Sequence, residues 1–138
     1  MSSPVEGFRL AYDRLGSGRP VVLLHGWPGA RSDHARVARR LEGDADVLVP
    51  DLRGFGASDR PDAPHEAFRA DGQTASILGL IEELGLERPV VAGYDVGSRV
   101  AQALARTRPD AIAALVIAPP LPGIGDRILS ADAQREFW

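Results

Sequence analysis

The chain has 138 residues, of which 44% are hydrophobic and 25% are charged, a composition typical of one ordinary globular domain. Its net charge of -3 argues against a nucleic-acid partner, because nucleic-acid-binding domains normally carry a basic face. None of its 16 basic residues is a lysine, which excludes a phosphate-binding loop of the Walker type.

The chain shows no sign of export or membrane insertion. Residues 1–7 have neither the basic start nor the apolar centre of a signal peptide. The longest apolar run, residues 111–118, is much shorter than the ~20 residues that a membrane helix needs. The chain has no cysteine, which rules out disulfides and thiolate metal sites and suits a cytosolic protein. We therefore expect a cytoplasmic protein without a membrane partner, a metal or a cofactor.

Strands are predicted at three places in the first part of the chain. Residues 8–15 alternate apolar and polar side chains and end in a glycine turn, which indicates an edge strand. Residues 20–24 are continuously apolar, as is typical of a strand covered on both faces of a parallel sheet, and residues 46–50 repeat that pattern. After the second strand, two glycines and a proline in residues 25–29 predict an irregular loop whose backbone can approach a ligand closely.

A helix is expected between the second and third strands. Ser32 is predicted to cap it, and the helix itself covers residues 33–41. Its inward face is apolar and consists of Ala35, Ala38 and Leu41. Its outward face carries arginines that we expect in solvent: Arg36, Arg39 and Arg40.

The rest of the chain continues the alternation of strands and helices. Apolar spacing predicts a helix over residues 74–84, ended by Gly85. A strand that begins near residue 89 leads into a helix over residues 97–107, and residues 113–118 are a further buried strand. This alternation predicts an α/β architecture with a largely parallel sheet.

A carboxylate stands at the tip of the turn between that strand and helix. Gly93 and Gly97 flank the turn, so the backbone can bend sharply and push Asp95 outward. A Gly-x-nucleophile-x-Gly turn presents a catalytic nucleophile, and a carboxylate can attack a saturated carbon to form an ester. That chemistry suits an epoxide or an alkyl halide. The alternative is an ordinary turn aspartate that bonds only the backbone.

Three motifs occur in order, and each follows a strand: His25-Gly26-Trp27-Pro28, Asp51-x-Arg53-Gly54-x-Gly56-x-Ser58 and Gly93-x-Asp95-x-Gly97. The set resembles the N-terminal half of an α/β-hydrolase. More narrowly it is similar to the epoxide hydrolases, in which a His-Gly-x-Pro loop accompanies an aspartate nucleophile. The resemblance covers roughly residues 7–138.

The resemblance implies an α/β-hydrolase fold, a mostly parallel sheet flanked by helices. Residues 1–118 would then be the N-terminal part of the core domain, and residues 119–138 the start of the lid. In the family's count the strand at 113–118 is the sixth, so the fold is expected to be truncated there. That strand would lie at an exposed apolar edge, through which self-association is expected.

The resemblance also assigns roles. Asp95 corresponds to the nucleophile, and the backbone N–H groups of Trp27 and Val96 correspond to the oxyanion hole. The loop motif consists of His25, Gly26 and Pro28, with a cis peptide bond expected before the proline. His25 is assigned to orienting this loop and not to acting as a base. The elbow glycines are Gly93 and Gly97.

Other polar residues near these motifs receive structural interpretations. Asp51, at a strand end, is expected to accept local hydrogen bonds. His34 and His65 are expected in solvent. Tyr94 precedes the nucleophile, but alternation along the strand points it away from the substrate.

Two alternatives to an epoxide hydrolase remain open. A dehalogenase of the same fold is disfavoured because Val96 stands where haloalkane dehalogenases place a halide-binding tryptophan, and because only the later Arg99 matches an arginine of the fluoroacetate type. The second alternative is a catalytically silent protein of this fold that binds a small ligand. In the family the catalytic histidine follows the nucleophile, and no histidine follows Asp95 here, so the chain by itself is expected to be inactive. The expected partner is a small apolar epoxide or halide.

Overall fold

The computed structural model describes residues 7–118. The five strands are β1 (Tyr12–Gly16), β2 (Arg19–Leu24), β3 (Ala45–Pro50), β4 (Val90–Tyr94) and β5 (Ala114–Ala118). The α-helices are α1 (Ala35–Leu41), α2 (Ala70–Glu83) and α3 (Val96–Thr107). Short 3-10 turns cover Arg31–His34, His65–Phe68 and Pro109–Ala111. The predicted lid segment, residues 119–138, lies outside the described residues.

The strands form one sheet in the order β1-β3-β2-β4-β5. β1 pairs antiparallel with β3, and all other pairs are parallel, as the sequence predicts. β2 and β4 are neighbours in register, so Leu24 lies beside Gly93 at their carboxyl ends. The loops that leave these two strands therefore meet at one edge of the sheet, where ligands bind in open α/β sheets.

Two apolar layers cover the sheet, one on each face. Because successive strand residues point to opposite faces, Val22 and Leu24 of β2 join one core cluster while Leu23 joins the other. The first cluster also contains side chains of α2 and α3, and the second contains Ala38 of α1. The two longer helices therefore pack on one face and α1 on the other, which holds the ends of β2 and β4 rigidly.

The predicted edge position of the last strand is observed. β5 ends the sheet among residues 7–118, and Val116 on it is 55% exposed. Self-association through this strand stays a prediction. None of the helices within the described part of the chain is both long and apolar enough to span a bilayer.

The first predicted helix differs from the observed one. Residues 31–34 form a 3-10 turn, and α1 begins only at Ala35, which is exposed while Ala38 is buried. The prediction that Ser32 caps the helix is wrong, because the capping residues are Ala30 for the 3-10 turn and His34 for α1. The neighbouring carboxylate of Asp33 instead accepts a hydrogen bond from the Ala30 N–H at 3.3 Å.

The second predicted helix begins too late. α2 starts at Ala70, four residues before the predicted start at Thr74. Its first turn is polar and so carries no apolar repeat, and the Thr74 hydroxyl donates to the Ala70 carbonyl oxygen at 2.6 Å. The end is as predicted: Gly85 follows the helix with a φ of +62°, a conformation that glycine adopts without strain.

Candidate active site

Asp95 occupies a tight turn between β4 and α3. Its φ of 49° and ψ of -118° are rare for a residue with a side chain. The Ser98 N–H and the Ser98 hydroxyl both donate to the Asp95 carbonyl oxygen, at 3.1 and 2.7 Å. These bonds, together with the packing described next, hold the backbone in a conformation that it would not adopt by itself.

The two glycines of this turn are required by close backbone packing. A Cβ atom on Gly93 would lie 2.4 Å from the Gly97 carbonyl oxygen. A Cβ atom on Gly97 would lie 2.3 Å from the Leu24 carbonyl oxygen on β2. The helix therefore approaches the strand ends more closely than any side chain would permit, and this contact places Asp95 beside the loop that follows β2.

That loop reaches Asp95 through its backbone. The Trp27 N–H donates to Asp95 Oδ2 at 2.8 Å, and the Trp27–Pro28 peptide bond is cis. Gly26 permits the approach, since a Cβ there would lie 2.9 Å from the Asp95 Cβ. The Trp27 side chain points outward and is exposed.

The second predicted oxyanion donor lies on the other side of Asp95. Val96 is the first residue of α3, and the first four N–H groups of an α-helix have no acceptor within the helix. The positive end of the helix dipole also lies here and favours a negative charge on the preceding residue. Asp95 is therefore a half-buried carboxylate between two backbone segments that offer donors.

His25 is completely buried and both of its ring nitrogens contact backbone groups. The Leu52 N–H donates to Nε2 at 3.0 Å, so the ring proton resides on Nδ1, which donates to the Gly26 carbonyl oxygen at 2.8 Å. The ring thereby ties the loop after β2 to the loop after β3. In this arrangement both ring nitrogens are engaged by the backbone and neither is directed at Asp95.

Asp51 is fully buried and joins three segments. Its carboxylate accepts from the Ala57 N–H at 2.9 Å, from the Arg31 N–H at 2.6 Å and from the Arg31 guanidinium. The bond from the Ala57 N–H, in the glycine turn after β3, is the local hydrogen bond that the sequence predicts for Asp51. The ion pair with Arg31 is additional, and it anchors the turn after the Trp27 loop to the end of β3.

Arg53 is a buried structural residue that sequence reasoning missed. Its Nε donates to the Ser76 hydroxyl at 2.6 Å and its Nη1 to the Ala67 carbonyl oxygen at 3.0 Å, while the guanidinium lies 4.1 Å from the Phe8 ring centre. Gln73 pairs with the Arg53 backbone at both its N–H and its carbonyl oxygen. The polar side chains in the first turns of α2 were the available signal.

A second missed feature is the contact between Tyr94 and Asp33. The Tyr94 hydroxyl donates to Asp33 Oδ2 at 2.8 Å. Burial, and then the bond to Asp33, raise the pKa of Tyr94 above its ordinary value, while the same bond lowers the pKa of Asp33.

The prediction that His34 is solvated is wrong, because its ring packs edge-on against Tyr94 at 5.6 Å and its Nε2 is buried. His65 is exposed, as predicted.

A cavity of about 310 Å³ opens beside the turn that carries Asp95. Val96 and Arg99 of α3 line one wall, and Phe68 and Gln73 line the facing wall. Burial lowers the pKa of Arg99, and the attraction of Asp95 opposes that shift. Apolar, cationic and acidic side chains, the last from Asp71, therefore all line this cavity. Within residues 7–118 no group of three His, Asp or Glu side chains could hold a metal ion.

Comparisons with known proteins agree with this arrangement. A family model for the alpha/beta hydrolase fold matches residues 19–135. The chain is 34% identical over 120 residues to a soluble epoxide hydrolase of Corynebacterium sp. (strain C12), an alignment that covers 87% of this chain and 41% of that protein. It is 35% identical over 111 residues to a fluoroacetate dehalogenase of Burkholderia sp., with 78% of this chain and 36% of that protein covered.

Among solved structures, an epoxide hydrolase from Vigna radiata superposes with a TM-score of 0.84 at 25% identity, over 100% of this chain and 45% of that one. The chain thus spans less than half the length of these relatives. The strand order, the strained turn with its two glycines and the matched residues all lead to one assignment. The chain belongs to the α/β-hydrolase fold family.

Proposed function

We propose that the chain carries the nucleophile of an epoxide hydrolase, and that Asp95 forms a covalent ester with a small apolar epoxide. The observation that supports this most directly is the hydrogen bond from the Trp27 N–H to Asp95 Oδ2. It leaves Oδ1 to attack and holds the oxygen on which negative charge would later develop. The similarity to named epoxide hydrolases supports the choice of substrate class.

The proposed reaction has two steps. In the first, Asp95 Oδ1 attacks a ring carbon, the carbon–oxygen bond of the epoxide breaks, and the epoxide oxygen takes the electron pair and a proton from an acid. In the second, water attacks the acyl carbon of the ester after giving a proton to a base. The tetrahedral intermediate then breaks the bond from its carbon to Oδ1. Oδ1 takes the proton back from the base and leaves as a hydroxyl of the diol, and the oxygen from water stays on Asp95.

The backbone donors act on the second step. When water adds to the ester, Oδ2 becomes an oxyanion, and the N–H groups of Trp27 and Val96 are proposed to stabilise it. One donor of this kind is typically worth about 3 kcal/mol of barrier. Because Trp27 already donates to Oδ2 before reaction, this donor needs no rearrangement as the charge develops.

The acid and the base are proposed to lie outside residues 7–118. The chain contains three histidines, and none is available as a base to this carboxylate. His25 bonds backbone groups through both nitrogens, His34 packs against Tyr94, and His65 is exposed in a separate turn. We therefore propose that the 138-residue chain alone forms the ester only slowly, with water as the proton donor to the epoxide oxygen, and does not complete turnover.

Dehalogenation is the second candidate, and one residue favours it. Arg99 lies one helical turn after Asp95 and lines the adjacent cavity, where its charge could hold the carboxylate of a haloacetate. The similarity to a fluoroacetate dehalogenase agrees with that possibility. Against it, Val96 offers no side-chain donor for a departing halide.

Trapping the ester on the chain tests the proposal. The protein is incubated with excess styrene oxide, and peptide mass mapping locates the adduct. We expect one epoxide mass on the peptide that contains Asp95, persistent because none of the histidines among residues 7–118 is placed to activate water against it. Asp95→Asn should remove the adduct, and Asp44→Asn, at an exposed carboxylate, should not change it.

The same assay separates the three candidates. A parallel incubation uses a haloacetate, with Arg99→Met as the informative variant. Faster labelling of Asp95 by the haloacetate, lost in Arg99→Met, would select the dehalogenase. Labelling of Asp95 by neither probe, or equal labelling of several surface carboxylates, would select a catalytically silent protein.

A further inference from the structure

A single hydrogen bond links the residue before Asp95 to the segment after Trp27. The Tyr94 hydroxyl donates to Asp33 Oδ2 at 2.8 Å, between residues 61 positions apart. Asp33 belongs to the 3-10 turn that closes the loop on which Trp27 lies, and the same Oδ2 accepts the Ala30 N–H. The Tyr94 side chain thus reaches from the turn at Asp95 across to the far end of that loop.

The loop is shaped to the Tyr94 side chain. A Cβ atom on Gly26 would lie 2.5 Å from Cε2 of the Tyr94 ring, and one on Gly29 would lie 2.1 Å from Asp33 Oδ2 and 3.1 Å from the Tyr94 oxygen. Both glycines are therefore needed for the loop to pass over the phenol and its carboxylate partner. Trp27 lies between these two glycines, so the path of the loop over Tyr94 determines where the Trp27 N–H points.

The charges of the pair favour the observed bond. Burial, and then the bond to Asp33, raise the pKa of Tyr94 against an opposing backbone bond from Gly26, and the bond from Tyr94 lowers the pKa of Asp33. A neutral phenol therefore donates to an ionised carboxylate over the whole neutral range, in the direction that the geometry shows. The His34 ring packs edge-on against the Tyr94 ring, with the ring centres 5.6 Å apart, and limits the freedom of the phenol.

We propose that Tyr94 and Asp33 are positioning residues, which hold the Trp27 loop so that the Trp27 N–H is directed at Asp95 Oδ2. This inference rests on the proposed function, because the proposed function is what assigns the Trp27 N–H a role in the reaction. The two residues act through Trp27 and do not touch the substrate. Removing their bond frees the loop end while leaving the turn at Asp95 intact, since Ser98 and the two elbow glycines hold that turn independently.

The amide proton of Trp27 reports the bond directly. In two-dimensional amide NMR spectra of the chain, an N–H that donates to a carboxylate shifts as that carboxylate titrates. We expect the Trp27 amide to titrate with Asp95 in the unmodified chain and to stop titrating in Asp95→Asn. In Tyr94→Phe and in Asp33→Ala, which remove the donor and the acceptor of the bond, the titration should lose most of its amplitude, because the N–H no longer points at Oδ2.

Two matched variants separate positioning from a general loss of structure. Tyr12→Phe removes a hydroxyl from β1 at the opposite edge of the sheet, and Asp44→Asn removes an exposed carboxylate. Both should keep the full Trp27 titration. A purely structural role would lower the melting temperature of Tyr94→Phe and leave the Trp27 titration unchanged, and that result would overturn the proposal.

The outcome is distinguishable from failure of the proposed function. If the Trp27 amide does not respond to Asp95 in the unmodified chain, the positioning proposal is wrong, whether or not styrene oxide labels Asp95. If Trp27 responds as expected and Asp95 is never labelled, the positioning geometry stands and the chemistry assigned to it does not.

Discussion

The Trp27 N–H donates to Asp95 Oδ2 across 2.8 Å, although the two residues are 68 positions apart. The contact exists because β2 and β4 are neighbours in the sheet and end at the same edge. It distinguishes the two carboxylate oxygens, since Oδ2 is held by the backbone and Oδ1 is the oxygen that we propose as the nucleophile. The predictions below follow from this asymmetry and from the packing that maintains it.

The first prediction concerns the source of oxygen in the product. In an active enzyme that contains this chain, a single turnover in ¹⁸O-labelled water should give a diol with unlabelled oxygen from Asp95. The label should enter the Asp95 carboxylate, because water attacks its acyl carbon. Mass spectrometry of the diol and of the Asp95 peptide measures both. Solvent oxygen in the first diol would mean direct attack by water and would remove Asp95 from the role of nucleophile.

The second prediction concerns the chain by itself, which should not sustain diol formation from styrene oxide. A positioned base typically contributes about 10² to 10⁴ in rate, and both nitrogens of His25 are committed to backbone groups. Product is measured by chromatography for the chain and for Asp95→Asn. Many turnovers that Asp95→Asn abolishes would contradict this prediction and would mean that the chain places a base within reach of Asp95.

The third prediction concerns the close approach of α3 to β2. Gly97→Ala should destabilise the fold by about 1–3 kcal/mol or more, as overpacking does, because its Cβ would lie 2.3 Å from the Leu24 carbonyl oxygen. Gly43→Ala is the matched control, since a Cβ there meets nothing within 4 Å. Because alanine reduces the conformational freedom of the unfolded chain, Gly43→Ala should leave the free energy of unfolding unchanged or raise it by about 0.4–1 kcal/mol. Urea unfolding measures both, and equal effects would show that the helix can move away from the strand.

The fourth prediction concerns the buried guanidinium of Arg53. Arg53→Met should be strongly destabilising, because the Ser76 hydroxyl and the Ala67 carbonyl oxygen lose their partner. Each buried polar group left unsatisfied costs about 1–3 kcal/mol. Arg36→Met, at an exposed arginine of α1, should change the free energy of unfolding very little. A small effect of Arg53→Met would mean that water reaches the Ser76 hydroxyl and the Ala67 carbonyl oxygen once the guanidinium is gone.

The fifth prediction concerns acid. Arg14 forms a two-point ion pair with Asp46, at 2.8 and 2.6 Å, and this bond lowers the pKa of the Asp46 carboxyl. A carboxyl with a lowered folded pKa stabilises the fold above its unfolded pKa of about 3.9, and the contribution is lost as the pH falls through the folded value. The pair is partly exposed, so at neutral pH Asp46→Asn should cost at most about 1 kcal/mol.

Thermal melts of Asp46→Asn and of the unmodified chain, taken from neutral pH into acid, measure this contribution. The two curves should differ at neutral pH and converge in acid, where Asp46 is protonated in both the folded and the unfolded chain. Asp44→Asn, two positions away at an exposed carboxylate, should track the unmodified chain throughout. A difference that persists in acid would mean that Asp46→Asn acts through packing and not through charge.

Much of the fold was predictable because local chemistry specifies it. Continuous apolar runs predict β2, β3 and the start of β4, and Gly85 marks the end of α2. The flanking glycines predict the turn at Asp95, because only glycine tolerates the backbone contacts at Gly93 and Gly97. These features depend on one segment at a time, and the order of strands and helices then limits the sheet to a few topologies.

The tertiary structure decided how the segments meet. Residue spacing does not reveal that the Asp33 carboxylate accepts from Tyr94 as well as from the start of its own turn, or that His34 packs on that phenol. The burial of Arg53 is likewise invisible, because an arginine in a turn has the composition of a solvated loop until α2 covers it. In each case a polar side chain finds its partner on a distant segment that the sheet brings alongside. Such pairings depend on the packing of whole elements, which no local pattern contains.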